Sequence, residues 1–334
     1  MKVSIRKISE VTGYSPATVS NALNNKRGVN KKTSSTIFSV AKELGYRRNQ
    51  SISKIRFVTY RKNGLIIDDT QIFPMMIEGV ENKAKELGYE TTFSNLNYKS
   101  NTFEHDLAKV LGDKHSVIIL LGTEMTDEDF KLFEEDSDRV VILDSWSDDI
   151  KYSSVLIDNI DSAMKAVEHL INNGHTNIGY LKGIYRIKAF KSRELGYHLA
   201  MRNVGYDIKK ENIVVLGTKV QTAYESMLRY LDTNPLLPTA FFADDDEIAL
   251  GALKAFNERK IKIPRDVSII GFDDVSFSKA AVPALTTMHV YKREMGEIAV
   301  RKVSDSLLGN KVIEKIQICA DLIKRDSVRE ISRK

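Results

Sequence analysis

The stretch Thr12–Asn24, TGYSPATVSNALN, decides how the chain begins. Gly13 ends a short run, SIRKISEV, in which Ile5, Ile8 and Val11 recur at steps of three and Ser4 is a fitting N-cap. Ser15 followed by Pro16 opens a second helix. The serine caps it, and proline at the first helical position gives up an N–H that has no partner there anyway. Val19, Ala22 and Leu23 make the inward face, and the other side presents Pro16, Ala17, Ser20, Asn21 and Asn24. Helix, tight glycine turn and short helix make a helix-turn-helix, with the second helix sized for the major groove of DNA. Small residues at its start let the backbone approach base edges, and the hydroxyls of Ser15, Thr18 and Ser20 suit phosphate oxygens. A third helix follows in NKKTSSTIFSVAKELGY, with Asn30 as N-cap, Ile37, Val40, Ala41 and Leu44 as the stripe and Gly45 as the stop.

Charge supplies this head with a partner class. Residues 1–62 hold 14 Lys/Arg against Glu10 and Glu43, a net charge of +12, so within a chain of net +5 the remainder carries −7. A basic head on a mildly acidic body points to a polyanion. The single cysteine, Cys319, excludes an intrachain disulfide framework and is expected as a small buried apolar side chain. The opening MKVSIRKISE has no apolar leader and no run is long enough to span a bilayer, so a cytoplasmic protein with no membrane partner is expected.

From Ile55 onward, apolar strand-like runs alternate with amphipathic stretches. The strands expected are IRFVTY, ETTFSN, SVIILL, RVVILD, SVLID, NIGYLKG, NIVVLG, AFFADD, VSIIGFDD and one near KIQICADLI. Helices are expected around 73–87, 101–111, 127–135, 159–173, 191–203, 221–232, 246–258 and 292–308. Such alternation implies parallel sheets covered on both faces, and ten strands fit two lobes better than one. Ligands of such sheets bind beyond the carboxyl ends of the strands. Enzyme signatures are missing: the histidines at 105, 115, 169, 175, 198 and 289 make no H-x-x-x-H pair, and there is no G-x-S-x-G, Walker A or G-x-G-x-x-G. The acids at 244–246 resemble a metal cluster less than a strand-end group.

ISEVTGYSPATVSNALN followed by VNKKTSSTIFSVAKELGY resembles the headpiece of LacI/GalR-type bacterial transcription regulators, matching at Gly13, Ser15, Thr18, Val19, Ser20, Leu23, Asn24 and the closing E-L-G-Y. NNGHTNIGYL, SRELGYHLAM, PTAFFADDDEIALGAL, IPRDVSIIGFDD and VPALTTMHVYKREMGEIAV are similar to successive blocks of that family's effector domain, so the resemblance covers nearly the whole chain. Two departures stand out. Asn21 occupies a position where the family carries Arg, which favours adenine over guanine at one operator position. After Tyr46 the family's P-N-x-x-A-R-x-L hinge is replaced: Asn49 matches, but Arg48, Ile52, Ser53 and Ile55 stand where Pro, Ala, Arg and Leu are usual.

The resemblance implies an all-α three-helix headpiece followed by α/β, with two Rossmann-like lobes of the periplasmic-binding-protein type I. It implies a DNA-binding headpiece over 1–47, a short atypical hinge over 48–55 and an effector and dimerisation domain over 56–330. Within that domain, one lobe takes about 56–157 and 291–318, and the other about 158–290 and 319–330. DNA contacts are expected from Ser15, Pro16, Ala17, Thr18, Ser20, Asn21, Asn24, Asn25, Asn30 and Asn49. The effector cleft is expected to use Arg193 and Asp273 as a clamp from two sides on vicinal hydroxyls, with Phe73, Asp144, Trp146 and Asp245 around them. Asp245 replaces a family amide with an acceptor-only side chain, and this disfavours an anionic ligand. His175 is expected to be structural, and Asp246 a structural or cleft acid. The expected function is a homodimeric, or tetrameric, repressor of carbohydrate-utilisation genes on a pseudo-palindromic double-stranded DNA operator, controlled by a carbohydrate-like small molecule. No cofactor, metal or catalysis is implied. The alternatives are a global carbon-control regulator answering to a partner protein and, further off, a sugar-binding or sugar-metabolising α/β protein.

Overall fold

The computed structural model describes residues 3–23, 29–45, 54–68, 72–307, 310 and 312–331. Three helices come first: α1 (Ile5–Thr12), α2 (Pro16–Leu23) and α3 (Lys31–Glu43). The first lobe then runs β1 (Lys54–Arg61), α4 (Ile72–Glu86), β2 (Glu90–Asn97), α5 (Phe103–Gly112), β3 (Ser116–Leu121), α6 (Asp127–Phe130), β4 (Val140–Leu143) and β5 (Ser153–Ile157). The second lobe holds α7 (Asn159–Asn172), β6 (Ile178–Gly183), α8 (Lys188–Asn203), β7 (Ile213–Leu216), α9 (Val220–Leu231), β8 (Ala240–Ala243), α10 (Asp246–Glu258), β9 (Ser268–Ile270), α11 (Ser276–Ala280) and β10 (Thr287–His289). The chain then returns to the first lobe through α12 (Lys292–Leu307) and β11 (Lys315–Ile318), and ends in the second with β12 (Asp321–Ile323).

In the head, capping and burial follow the residues that specify them. The Ser4 side chain accepts from the Lys7 N–H, and Gly13 takes the left-handed turn at φ +72°. Ile8, Val19, Ala22, Leu23, Ile37 and Ala41 close one small core.

Six strands in the order β11-β5-β4-β3-β1-β2 form the first lobe's sheet, and β7-β6-β8-β9 the second's, with every pairing within them parallel. Parallel strands under helices on both faces read as unbroken apolar runs, and all six residues of SVIILL in β3 are buried. α12 packs on α4 through two glycines. A Cβ on Gly79 would lie 2.0 Å from the Arg293 carbonyl oxygen, and one on Gly296 would lie 2.2 Å from that of Met76. The two-lobed α/β fold expected from the sequence is the one observed.

Four local expectations change. Lys54 and Ile55, assigned to the hinge, are the first residues of β1, and Ile55 is fully buried. Residues 48–53 lie outside the described residues. KIQICADLI is two strands, because the chain crosses between lobes at Cys319–Ala320; β11 joins β5, while β12 pairs antiparallel with β10. Cys319 is exposed at that crossing rather than buried. The short elements α11 and β10 have too few residues for a periodicity to show.

Candidate nucleic-acid interface and inter-lobe cleft

At the start of α2, Ser15 Oγ accepts the Thr18 N–H at 3.1 Å and lies 2.9 Å from Thr18 Oγ1, so the cap is made by two residues expected at the DNA. Ser15, Pro16 and Ala17 are exposed, while Thr18, Ser20 and Asn21 are half-buried. Asn30, an exposed residue, caps α3 by accepting the Thr33 N–H on Oδ1 at 2.8 Å. Asn24, Asn25 and Asn49 lie outside the described residues.

The second candidate site lies between the lobes, where both sheets direct their carboxyl ends. Thr123 follows β3, Asp144 follows β4, Thr218 follows β7, Asp245 follows β8 and Asp273 follows β9; all line one cavity, together with Phe73 and Arg193. The cavity measures about 30 Å³, room for about two water molecules. A sugar-sized ligand therefore needs the lobes to part.

Arg193 and Asp273 do not stand on opposite sides of this cavity. Arg193 Nη2 donates to Asp273 Oδ1 at 3.1 Å, and Nη1 reaches Oδ2 at 3.5 Å, on side chains only 4% and 5% exposed. Nε donates to Asn159 Oδ1 at 2.8 Å, Nη1 also to the Asp244 carbonyl at 2.6 Å, and the guanidinium lies 3.7 Å from the centre of the Phe272 ring. A buried guanidinium costs too much unpaired, so it takes the nearest carboxylate. Trp146 is a second correction: it does not line the cavity, because its indole N–H donates to Asp148 Oδ1 at 2.8 Å and its ring packs under the Lys188 ammonium at 5.3 Å. Phe73 lines the cavity from the first turn of α4 and is 6% exposed, so it belongs at once to the cleft and to the first lobe's core.

The three consecutive acids part company. Asp244, fully buried, accepts from Tyr180, Arg186 and the Gly183 N–H, and burial pushes its carboxyl up to about 6. Asp245 caps α10 through the Ile248 N–H at 2.8 Å and turns to the cavity; burial, then the neighbouring Asp273, raise it. Asp246 accepts from Thr287 at 2.6 Å, Ser278 at 2.7 Å and the Val275 N–H at 3.0 Å, holding the segment after β9, and burial lifts it to about 7. It does not line the cavity. Asp144, at φ +62°, accepts from Thr123 Oγ1 at 2.6 Å, and burial raises it to about 6.

Several polar residues escaped the sequence reading. Glu124 accepts five backbone N–H groups, from Lys62, Asn63 and Gly64 on one oxygen and Ile66 and Ile67 on the other, at 2.8–3.1 Å. Burial alone would raise its carboxyl, but these donors hold it below the ordinary range. The loop so gathered reaches the second lobe, where Thr218 Oγ1 donates to the Leu65 carbonyl at 3.0 Å and Lys219 Nζ to that of Ile66 at 3.1 Å. Lys188, at the start of α8, ties the lobes again through Asp127 at 2.8 Å and Asp148 at 2.9 Å. The buried Lys292 donates to the Asp273 carbonyl. Thr123 and Glu124 follow SVIILL after Gly122 alone, so the strand-end rule would have singled them out; nothing in the sequence marks Lys188 or Lys292.

Residues 4–49 match the family described as bacterial regulatory proteins, lacI family, and residues 167–328 match the periplasmic binding protein-like domain. The chain is 27% identical over 333 residues to the HTH-type transcriptional repressor PurR of Mannheimia succiniciproducens, spanning 98% of this chain and 99% of that one. The protein of the same name from Haemophilus influenzae is likewise 27% identical over 334 residues, with 98% and 99% covered. In fold it is similar to a transcriptional regulator CelR–cellobiose complex, at TM-score 0.74 and 23% identity over 98% of this chain and all of that one. A lac repressor dimer bound to operator and the anti-inducer ONPF follows at TM-score 0.72 and 22% identity, with the same coverage. A head that matches the lacI family of bacterial regulatory proteins at residues 4–49 and a periplasmic-binding-protein-like domain behind it give the chain the build of a DNA-binding transcriptional repressor of the lacI type.

Proposed function

We propose that the repressor works as a homodimer on a pseudo-palindromic operator, and that a small molecule of carbohydrate-like chemistry, taken up between the lobes, controls its operator affinity. The observation that carries this reading is the convergence of the strand ends of both sheets on one cavity. A ligand seated there touches both lobes, so it has different contacts in the open and closed arrangements and biases one of them. The cellobiose held by the similarly folded CelR supports a carbohydrate as the ligand class. A dimer is supported by an apolar concavity on the second lobe, where Phe277 is 63% and Val282 81% exposed beside Leu250 and Leu253. Each half of a two-fold dimer would then set one α2 in a major groove.

Fluorescence anisotropy with an operator obtained by selection from random duplexes tests the DNA half. If each head neutralises about 4–5 phosphates, the dimer shows a log–log salt slope of about −7 to −9. A slope near zero on every duplex removes operator binding. Binding unaffected by any small molecule that shifts the protein's melting temperature removes effector control.

A further inference from the structure

The charges around the cavity do not balance. Arg193 gives four of its five N–H groups to Asn159, Asp244 and Asp273, and Glu247 has Lys219 at 3.8 Å. Asp144 and Asp245 remain. Among the described residues neither has a cation within ion-pair distance: Asp144 takes one hydroxyl from Thr123 and Asp245 one backbone N–H from Ile248. Asp144 enters from the first lobe, after β4, and Asp245 from the second, after β8. Asp245 is 8% exposed, and no donor among the described residues reaches its Oδ2. Apolar walls from Phe73, Phe190 and Ile157 lie around them.

We propose that the cleft takes a small hydroxylated amine, an amino sugar or amino polyol in its protonated form, with the ammonium held between Asp144 and Asp245. This rests on the cleft being the effector site. An ammonium is a compact charge with three donors and no acceptor, and the two carboxylates offer acceptors only. A neutral sugar leaves both carboxyls to burial, which disfavours their charged form, and a phosphorylated one adds like charge, whereas an ammonium favours the two carboxylates and is held by them. Because the two acids come from different lobes, a ligand that meets both touches both lobes. Burial already holds both carboxyls above the ordinary range, with Arg193, itself paired to Asp273, acting against it only in part.

The test is calorimetric titration of the full chain at neutral pH with matched pairs, glucosamine against glucose and galactosamine against galactose, with glucose 6-phosphate as the anionic member. The amine of at least one pair is expected to bind about tenfold or more tighter than its hydroxyl partner, the range of a charge-assisted over a neutral hydrogen bond, with the phosphate weakest. In Asp245→Asn and Asp144→Asn the preference falls to near parity. Asparagine keeps the helix cap at 245 and tolerates the left-handed backbone at 144, and unchanged melting temperatures without ligand report intact folding. Glucose or galactose binding as tightly as its amine, or a preference that persists in both variants, overturns the amine while leaving the cleft as the effector site. A panel in which no compound binds overturns both readings.

Discussion

Asp273 lines the inter-lobe cavity and also pairs with a buried cation. At φ +107° and 3% exposure it pairs with Arg193, so truncating it strands a buried guanidinium. Asp273→Ala is expected to cost about 3–5 kcal/mol of stability, read as a large fall in the urea midpoint of the body. Asp273→Asn costs clearly less, because the amide oxygen still accepts from Arg193 and asparagine tolerates a positive φ. Equal losses in the two variants would show that the ion pair does not hold Asp273 in place. His175 is a second buried group with a measurable signature. Fully buried, with Nδ1 2.9 Å from Thr239 Oγ1 and Nε2 3.1 Å from the Arg329 carbonyl oxygen, it is pushed down from 6.5 to about 4 by burial. Below pH 6.5 the unfolded chain binds a proton that the native state refuses until about pH 4, so stability from this residue falls as pH falls through that window. The shift corresponds to about 3 kcal/mol. Asp144, Asp244 and Asp246 act with the opposite sign, since the native state keeps protons there that the unfolded chain has lost. Comparing the stability loss of parent and His175→Gln from pH 6.5 to 4 cancels those groups, and the parent is expected to lose more. Parallel curves would remove His175 from the acid response.

Between elements, the cleft is shut by two ties. Lys188 brings the N-terminus of α8 to Asp127, Asp148 and the Trp146 carbonyl of the other lobe. The loop gathered by Glu124 meets Thr218 and Lys219. With its side chain 15% exposed, the Lys188 tie sits between a surface and a buried ion pair. Lys188→Met keeps the stem's packing and removes the charge. It is expected to favour lobe opening by about 1.4 kcal/mol, tenfold in the opening equilibrium, seen as faster hydrogen exchange at Asp148, whose N–H is held by Asp127 at 2.9 Å. Unchanged exchange there would mean that the loop tie alone holds the lobes.

At the scale of the whole molecule, the proposed control requires that a change of lobe arrangement at the cleft reach paired heads, and the proposed dimer would supply the lever. Charging the apolar concavity with Phe277→Asp and Val282→Asp together is expected to give a folded monomer in analytical ultracentrifugation. Its salt slope should fall to about −4, half of the dimer's, because one head releases half the counterions. A double variant that sediments as a dimer would move the dimer contact to another face.

Much of this molecule was legible along the chain because the interactions that make it legible are local. Ser4, Gly13, Ser15–Pro16 and Asn30 fix helix ends through bonds to residues three or four away, and SVIILL announces a strand buried on both faces by its own composition. Order and spacing of such blocks determined the two-lobed fold and the helix-turn-helix head. The cleft was decided elsewhere. Which of three adjacent aspartates faces the cavity depends on partners such as Thr287, 41 residues from Asp246, and Tyr180, 64 residues from Asp244. Arg193 meets Asp273 across 80 residues, and Lys188 draws Trp146 away from the cavity across 42. Buried charge must be matched by whatever the fold brings within hydrogen-bond reach, and that neighbourhood exists only once the strands have been laid side by side.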